Sequence, residues 1–375
     1  MTDVQAVCWN NLVQDKDPFL RHEFLLALEQ SGAVSPGTGW QPYHLLVFEQ
    51  QEMIAAMPLY LKNNSRGEYV FDQQWADAYY QAGIEYYPKW VNSVPFTPCQ
   101  GQRLLIKSDG DYLAVIQLCL NTIKELSEQL NISGFHCLFP VEEQVKVLQE
   151  QMLIRQGVQF QWFNKSYLNF DDYLQNFTSR QRKNINKERR KVSEQNISFQ
   201  RLTGEEITEH QWQVFFDFYE MTYLKRGQPA YLTVDFFKQL AESMSEQILL
   251  VFAIKNQSYI GSALSFIGKN TLYGRYWGCY EKYNNLHFET CYYQGLEYCF
   301  EHQIQRFDSG AQGEHKISRG FEPITTYSAH WIQNAHFEKL IAQFLEREAR
   351  FIQQYKQGCL KKLPFKLTKY VKKAP

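Results

Sequence analysis

Two α+β domains of one design is the fold class that this 375-residue chain predicts, and three observations predict it. The tetrad Leu45-Leu46-Val47-Phe48 recurs as Leu249-Leu250-Val251-Phe252. The same succession of helix, antiparallel meander, helix and strand surrounds each copy. Hydrophobic residues make up 44% and charged residues 21%, a globular balance that excludes a disordered chain and is ample for two cores at roughly 150 residues per domain.

In the first copy the spacing predicts a helix over Leu20–Gln30, then a strand at Tyr43–Phe48 and a turn at Glu49–Glu52. A second strand follows at Met53–Lys62, and a polar Asn63–Gly67 turn leads to a third strand at Glu68–Phe71. The strands rest on Val, Ile, Phe and Tyr enrichment between clusters of Asn, Gly and Ser. Asp111–Leu130 carries Leu113, Ile116, Leu120, Ile123 and Leu126 at i, i+3/i+4 spacing, an amphipathic helix that delivers the short strand Phe135–Phe139. The second copy repeats this order. Helix Trp212–Lys225 precedes strands Ile248–Ile254, Tyr259–Ile267 and Thr271–Gly278. Helix Phe288–Phe300 and strand Arg306–Ser309 follow. Between the copies, Phe170–Gln195 reads as one long polar helix. A last helix over Phe337–Gln354 has Leu340, Phe344 and Phe351 on its packing stripe. The expected divisions are an N-terminal domain at 1–155, a C-terminal domain at 156–355 that includes the helix at 170–195, and a basic tail at 356–375.

The charge is unevenly placed. Residues 180–191 hold seven basic residues and one acid, and 356–375 hold seven Lys and no acid. The remainder has 25 basic against 39 acidic residues, so a formal net charge of −1 conceals two basic patches on a body of −14. Either patch is a solvated face or a docking surface for an anion such as a CoA phosphate, a tRNA or an acidic membrane. No apolar run approaches the ~18 residues that span a bilayer, and the N-terminal residues lack a secretory pattern. The expected location is cytoplasmic. The eight Cys include no C-x-x-C pair and read as free thiols.

Familiar motifs fail on spacing. Gly268-Lys269-Asn270 lacks the upstream glycine and the Ser/Thr of a phosphate loop. His287-Phe288-Glu289 is not followed by the Pro-Cys-x-x-Cys of a zinc deaminase. There is no His-Glu-x-x-His, Gly-x-Ser-x-Gly or Gly-x-Gly-x-x-Gly, and no metal is expected. One segment does concentrate chemistry: Phe307–Phe321 leaves a strand through two glycines and gathers Asp308, Glu314, His315, Lys316 and Arg319. Glycines at a strand exit let main-chain N–H groups approach a ligand.

Gly310-Ala311-Gln312-Gly313-Glu314-His315-Lys316, followed by Arg319-Gly320-Phe321, resembles the FemAB-like peptidoglycan biosynthesis/recognition family of N-acyltransferases. Tyr273-Gly274-Arg275-Tyr276-Trp277-Gly278, Leu286-His287-Phe288-Glu289, Pro95-Phe96-Thr97-Pro98 and Arg182-Lys183-Asn184-Ile185 extend the resemblance over roughly 8–355. It implies two tandem GNAT-like domains of mixed, mostly antiparallel sheets flanked by helices. It also implies transfer of an acyl or aminoacyl group to an amine acceptor. The pyrophosphate loop of ordinary GNAT enzymes is absent. Acyl-CoA is the expected co-substrate because the acidic body would repel an extended polyanion, and no tightly bound cofactor is expected. An aminoacyl-tRNA is the lesser alternative donor, and DNA is not an expected partner. The family's Phe-Lys-x-Gly-Phe is altered, with Gly-Phe kept at 320–321 but Ser318 in the Lys place and Lys316 two residues earlier.

Acyl transfer to an amine requires a base for the amine proton, which Asp308, Glu314 or His315 can supply. It also requires polarisation of the donor carbonyl, by Lys316, Arg319 or the Gly310–Gly313 backbone. Substrate contacts are expected at Gly310, Gln312, Gly313, Arg275, Tyr276 and His287, and donor-anion contacts at Arg180, Lys183 and Lys187. The other function class is a non-catalytic module that binds a peptidoglycan-like peptide, a glycan or a lipid headgroup. Peripheral membrane contact through the basic tail is a further expectation.

Overall fold

The computed structural model describes residues 1–366 other than 15, 109 and 312. Gln312 and the tail residues from 367 onward therefore lie outside the described residues. The chain divides into two compact units, Met1–Val158 with Thr325–Gln354, and Gln159–Ile324 with the residues from Tyr355 onward. Among the described residues, no helix is long and apolar enough to cross a membrane.

The first unit opens with α1 (Ala6–Asn10) and α2 (His22–Gln30), then β1 (Trp40–Pro42), β2 (Leu45–Glu49), β3 (Glu52–Met57) and β4 (Leu59–Lys62). After α3 (Gln73–Gln81) come β5 (Lys89–Asn92), β6 (Leu105–Ile106), α4 (Tyr112–Leu130), β7 (Gly134–Leu138), α5 (Glu142–Leu148) and β8 (Leu153–Phe163), which runs on into the second unit. The Asp111 carboxylate caps α4 by accepting from the Ala114 N–H at 3.0 Å. The third strand is Lys89–Asn92, not Glu68–Phe71, because Glu68 and Asp72 are buried carboxylates turned onto Lys89.

The second unit continues with α6 (Phe170–Gln175), α7 (Ser179–Ser193), β9 (Ile197–Thr203), α8 (Glu209–Leu224), α9 (Val234–Ser243), β10 (Ile248–Lys255), β11 (Ser258–Ile267) and β12 (Thr271–Cys279). A helical stretch follows, made of α10 (Leu286–Phe288), a π turn at Glu289–Tyr293 and α11 (Gln294–Glu301). It leads to β13 (Arg306–Asp308), a 3₁₀ turn at Glu314–Arg319, β14 (Glu322–Ile332) and α12 (Ala335–Leu360). The expected long helix over 170–195 is thus two helices. Phe177 between them is wholly buried, and the Thr178 N–H donates to the Pro364 carbonyl at 2.8 Å.

The two meanders share their first hairpin. Gln50-Gln51 and Asn256-Gln257 both have positive φ at both positions, the type I′ geometry that matches strand twist. Each hairpin has a register shift two residues before its turn, at Val47/Phe48 and at Ala253/Ile254. Aligned on these turns, the halves are offset by 206 residues, whereas the two tetrads are offset by 204. The repeated Leu-Leu-Val-Phe therefore occupies the same strand in each half, slipped by two residues, which leaves the same side chains on the same face. In the second unit β10 pairs along its length with both β9 and β11 and is buried. In the first unit Pro58 divides the second strand into β3 and β4, and β2, β3 and β6 form a separate sheet. At that break the His44 ring accepts the Leu59 N–H at 3.3 Å.

The end of the chain departs from the expected division. Ser328–Ile332 of β14 pairs antiparallel with β7, and Phe337, Ile341 and Leu345 of α12 pack with Trp75, Tyr79 and Tyr86. Both segments therefore complete the first unit rather than the domain at 156–355. The packing stripe of α12 is also rotated from the expected one: Leu340 and Phe351 are 46% and 71% exposed. All eight Cys are free, as read from the sequence.

A buried charge cluster holds the first unit together. Lys89 Nζ, wholly inaccessible, donates to Glu68 at 2.8 Å, to Ser65 Oγ at 2.9 Å and to Asp72. Burial alone would lower its pKa, but the two carboxylates push it up to about 12. Burial raises Glu68 to about 7 even so, while Lys89 holds Asp72 well below the carboxylate range. Lys89→Met leaves two buried carboxylates without their cation, which costs about 3–5 kcal/mol. Protonation of Glu68 relieves the repulsion, so urea unfolding should give a larger loss at pH 8 than at pH 5.

Candidate active site

The site is built on the segment after β13. β12 runs parallel to β13 only over Thr271–Tyr273 and Arg306–Asp308, and beyond this the chain turns away from β12 as the loop 309–321. Asp308 is buried. Its carboxylate accepts from Gln161 Nε2 at 2.9 Å and from the Gly310 N–H at 3.0 Å, so it shapes the loop rather than facing a substrate. Lys316 is 1% exposed and donates back to the Ser309 and Gly310 carbonyls at 3.0 and 2.6 Å, closing the loop like a clasp. Gly313 has φ +115°, and a Cβ there would lie 2.2 Å from the His315 ring, so both backbone and space require glycine.

Arg319 is the hub. Its Nη2 donates to both oxygens of Glu188 at 2.8 and 2.7 Å, and its Nη1 to the His315 carbonyl at 2.6 Å. Its guanidinium lies 3.5 Å from the centroid of the Phe288 ring, a cation–π contact. Tyr293 OH also donates to Glu188, and Tyr173 OH donates to the Arg319 carbonyl at 2.6 Å. The buried Arg319 Nε–H alone has no partner.

Beside Arg319, His315 Nε2 and Tyr292 OH are 2.8 Å apart, and the His287 and Phe288 rings lie 5.8 and 5.7 Å from the His315 ring. His315 keeps an edge in solvent. Partial burial, together with the Arg319 and Lys316 charges, lowers its pKa to about 4. Burial does the same to His287, with help from His315, Arg319 and Lys316. Both imidazoles are therefore neutral at neutral pH, and a neutral imidazole can accept a proton.

The loop meets the basic helix within this unit. A groove of about 440 Å³ lies between α7 and the 3₁₀ turn, walled by Gln181, Asn184, Lys187, Glu188 and Lys191 on one side and Ser318 and Arg319 on the other. Of the expected donor-anion residues, Lys187 lines it. Arg180 and Lys183 are exposed on α7 outside it. Arg189, part of the same basic run, turns inward to Glu289 and Glu297 at 3.1 and 2.8 Å.

Other expected residues lie elsewhere. Glu314 is exposed and accepts from Tyr355 OH at 3.0 Å and from Lys362 at 3.4 Å; these bonds lower its pKa. It faces α12, not the groove. Tyr276 is buried against Tyr219 and Phe237, ring centroids 5.2 and 5.6 Å apart, as part of the core under α8 and α9. The Arg275 guanidinium sits 5.6 Å from the Tyr276 ring. Sequence reasoning missed Glu188, Phe288, Tyr292 and Tyr293. Glu188 had one visible signal, as the lone acid among seven basic residues.

Comparison with known proteins follows the same line. A family model described as FemAB-like, peptidoglycan biosynthesis/recognition, matches residues 1–367. No curated protein matches the sequence. Among solved structures, FemX is similar at a TM-score of 0.54 and 11% identity, over 90% of this chain and 98% of its own. The C-terminal domain of a lysylphosphatidylglycerol synthetase from Agrobacterium fabrum gives 0.54 and 7% over 91% and 95%, and L-PGS from Bacillus licheniformis gives 0.52 and 8% over 89% and 98%. The fold is α+β and GNAT-like, as the resemblance implied.

Burial also alters what variants of the loop should do. Because Lys316 and Arg319 are buried, their truncation is not the neutral surface change expected of an exposed loop. Arg319→Ala should cost about 1–3 kcal/mol, between an exposed and a buried pair because Glu188 is partly solvated. Lys316→Ala should cost a similar amount by stripping two loop carbonyls of their donor. Lys183→Ala, on the exposed face, should melt within about 0.5 kcal/mol of wild type. Thermal and urea unfolding of the three variants checks the order.

Proposed function

Because the chain belongs to the FemAB-like family, we propose that it is an N-acyltransferase that moves an acyl or aminoacyl group from a CoA thioester to an amine acceptor by direct attack. The observation that carries this reading is the groove that joins the basic face of α7 to the loop bearing Arg319 and His315. A donor anchored by its phosphates on Lys187 and Lys191 would bring its reactive end toward Ser318 and Arg319. Holding donor and acceptor in line can supply much of the rate without a covalent intermediate.

In the proposed step the amine nitrogen attacks the thioester carbonyl carbon, and a C–N bond forms as the carbonyl oxygen takes up negative charge. The tetrahedral species then expels the thiolate as the C–S bond breaks. His315 takes the amine proton, directly or through water, and passes it on to the thiolate or solvent. The three bases expected from sequence are thereby reduced to one, because Asp308 is buried on structural bonds and Glu314 faces α12. Lys316 is fully engaged with loop carbonyls. Arg319 lines the groove and Lys316 does not, so Arg319 is the better choice to stabilise the oxyanion.

The donor is assigned from charge. The groove offers a few cations beside the Glu188 carboxylate, and the body outside the two basic stretches carries −14. This suits a compact CoA pyrophosphate better than an extended polyanion. Thermal-shift titration with acetyl-CoA, longer acyl-CoAs and aminoacyl-tRNA tests the reading. Stabilisation by an acyl-CoA, with a shallow salt dependence and loss in Lys187→Glu/Lys191→Glu, is the expected result. A steep salt slope with tRNA alone reassigns the donor, and silence with every donor favours a binding module.

The pH profile gives a second test. His315 acts when unprotonated, so its contribution to kcat/KM rises with pH through about 4 and is level from about pH 5 to neutrality. His315→Gln should lower kcat about 10²-fold or more and remove that acid limb, with little change in KM for the donor.

A further inference from the structure

The two basic stretches that lie far apart in the sequence are joined by the fold. Phe177, just before α7, forms an isolated antiparallel bridge with Phe365, and their rings lie 5.1 Å apart. The Thr178 N–H donates to the Pro364 carbonyl at 2.8 Å, and the Lys366 N–H to the Asn176 carbonyl at 2.9 Å. The segment after α12 is thereby fixed against the start of α7. This brings Lys366, and the chain that carries Lys361, against the start of the helix whose first turns bear Arg180 and Lys183. All four are exposed, and none has an ion-pair partner among the described residues. None of them lines the groove.

An apolar side chain completes the patch. Leu168 is 81% exposed, although the chain around it is firmly held, with the Leu168 N–H donating to Asp172 at 3.1 Å. Nearby, Lys165 Nζ lies 5.6 Å from the Phe365 ring. An isolated exposed leucine needs no explanation. A leucine held out on an ordered turn, three residues from the Lys165 that meets the Phe365 ring beside Lys366, has the composition of an interfacial anchor, in which charge draws the surface in and an apolar side chain enters it.

We propose that this patch docks the protein on an anionic lipid bilayer, with Arg180, Lys183, Lys361 and Lys366 facing the headgroups and Leu168 entering the interface. A cluster of at least four Lys/Arg is the charge that an anionic leaflet attracts. Three of the four cations are Lys, which act as point charges in a diffuse field. Arg is the residue suited to forked contacts with individual phosphates, as nucleic-acid recognition favours. The apolar element is aliphatic, where a single-stranded nucleic acid would be met by an aromatic stacking surface. This role is separate from the donor groove, which uses Lys187 and Lys191.

The experiment is vesicle co-sedimentation of the full chain at about 0.1 M salt. It compares phosphatidylcholine vesicles with vesicles containing about 30% phosphatidylglycerol. The protein should sediment only with the anionic vesicles. Lys183→Ala should weaken partitioning about fivefold and Leu168→Ser about tenfold. The variant Arg180→Glu/Lys183→Glu/Lys361→Glu/Lys366→Glu should remain in the supernatant, with its melting temperature showing that it is folded. Failure of the wild type to bind anionic vesicles overturns the proposal, as does retention of binding by the quadruple variant. Unchanged partitioning of Leu168→Ser, or displacement of the protein from vesicles by equimolar mixed-sequence RNA, assigns the patch to a soluble polyanion instead.

Discussion

The pair between Arg319 and Glu188 is the interaction on which the site depends. One guanidinium ties the 3₁₀ turn to α7, stacks on Phe288 at the start of the helical stretch and holds the carbonyl of His315. Arg189 to Glu289, Tyr293 to Glu188 and Tyr292 to His315 join these elements in pairs, but Arg319 is the side chain that touches all three. The arrangement is partly buried and leaves few polar atoms unpaired, the condition under which a charge pair specifies geometry and not merely attraction. The same pair sets the electrostatics of the groove. Burial, reinforced by the Arg319 charge, keeps the neighbouring imidazoles neutral, and Glu188 limits how much positive charge a donor meets.

The two units solve a similar topological problem with different chemistry. Each starts its meander with a type I′ hairpin and a bulge at the same distance from the turn. In the second unit the meander is continuous, and its far end opens beside the loop that carries His315 and Arg319. In the first unit Pro58 splits it, and the polar interior is occupied by Lys89 with Glu68 and Asp72, and by His136 and His330, whose Nδ1 atoms are 2.6 Å apart. Burial keeps both of these imidazoles neutral far below pH 6.5. The cluster has the marks of a structural core: Lys89 is inaccessible, and its donors are directed at side chains of its own unit. One design thus serves as scaffold in one half and carries the proposed chemistry in the other.

Much of this was legible in the residues. The alternation of strand and helix, the amphipathic helix that starts at Asp111, the loop at 308–321 and the free thiols followed from local pattern, because each depends on neighbours within a few residues. The repeat was legible too, although its register was misread by two residues, since a period-two slip leaves the buried faces unchanged. Less local features were misassigned. Glu68–Phe71 looked like a strand because its residues favour extended structure, and only the distant Lys89 makes Glu68 a buried partner. The polar run at 170–195 looked like one helix because its break depends on Phe365, nearly two hundred residues away.

The sequence by itself determined two α+β halves, the loop that concentrates Asp308, Glu314, His315, Lys316 and Arg319, and the presence of two basic stretches. Tertiary structure alone decided what each of those side chains does. Asp308 and Lys316 bond the loop to itself, Glu314 turns to α12, Tyr276 enters the core, and His315 and Arg319 remain beside a groove that Lys187 and Lys191 share. It also decided that α12 completes the first unit as far as Gln354 and that the chain from Tyr355, the last turns of that helix included, returns to the second. The physical reason is the same throughout. Local pattern fixes backbone conformation and which residues are available, but a side chain's role follows from its burial and its partners, and those partners come from elements far apart in the chain.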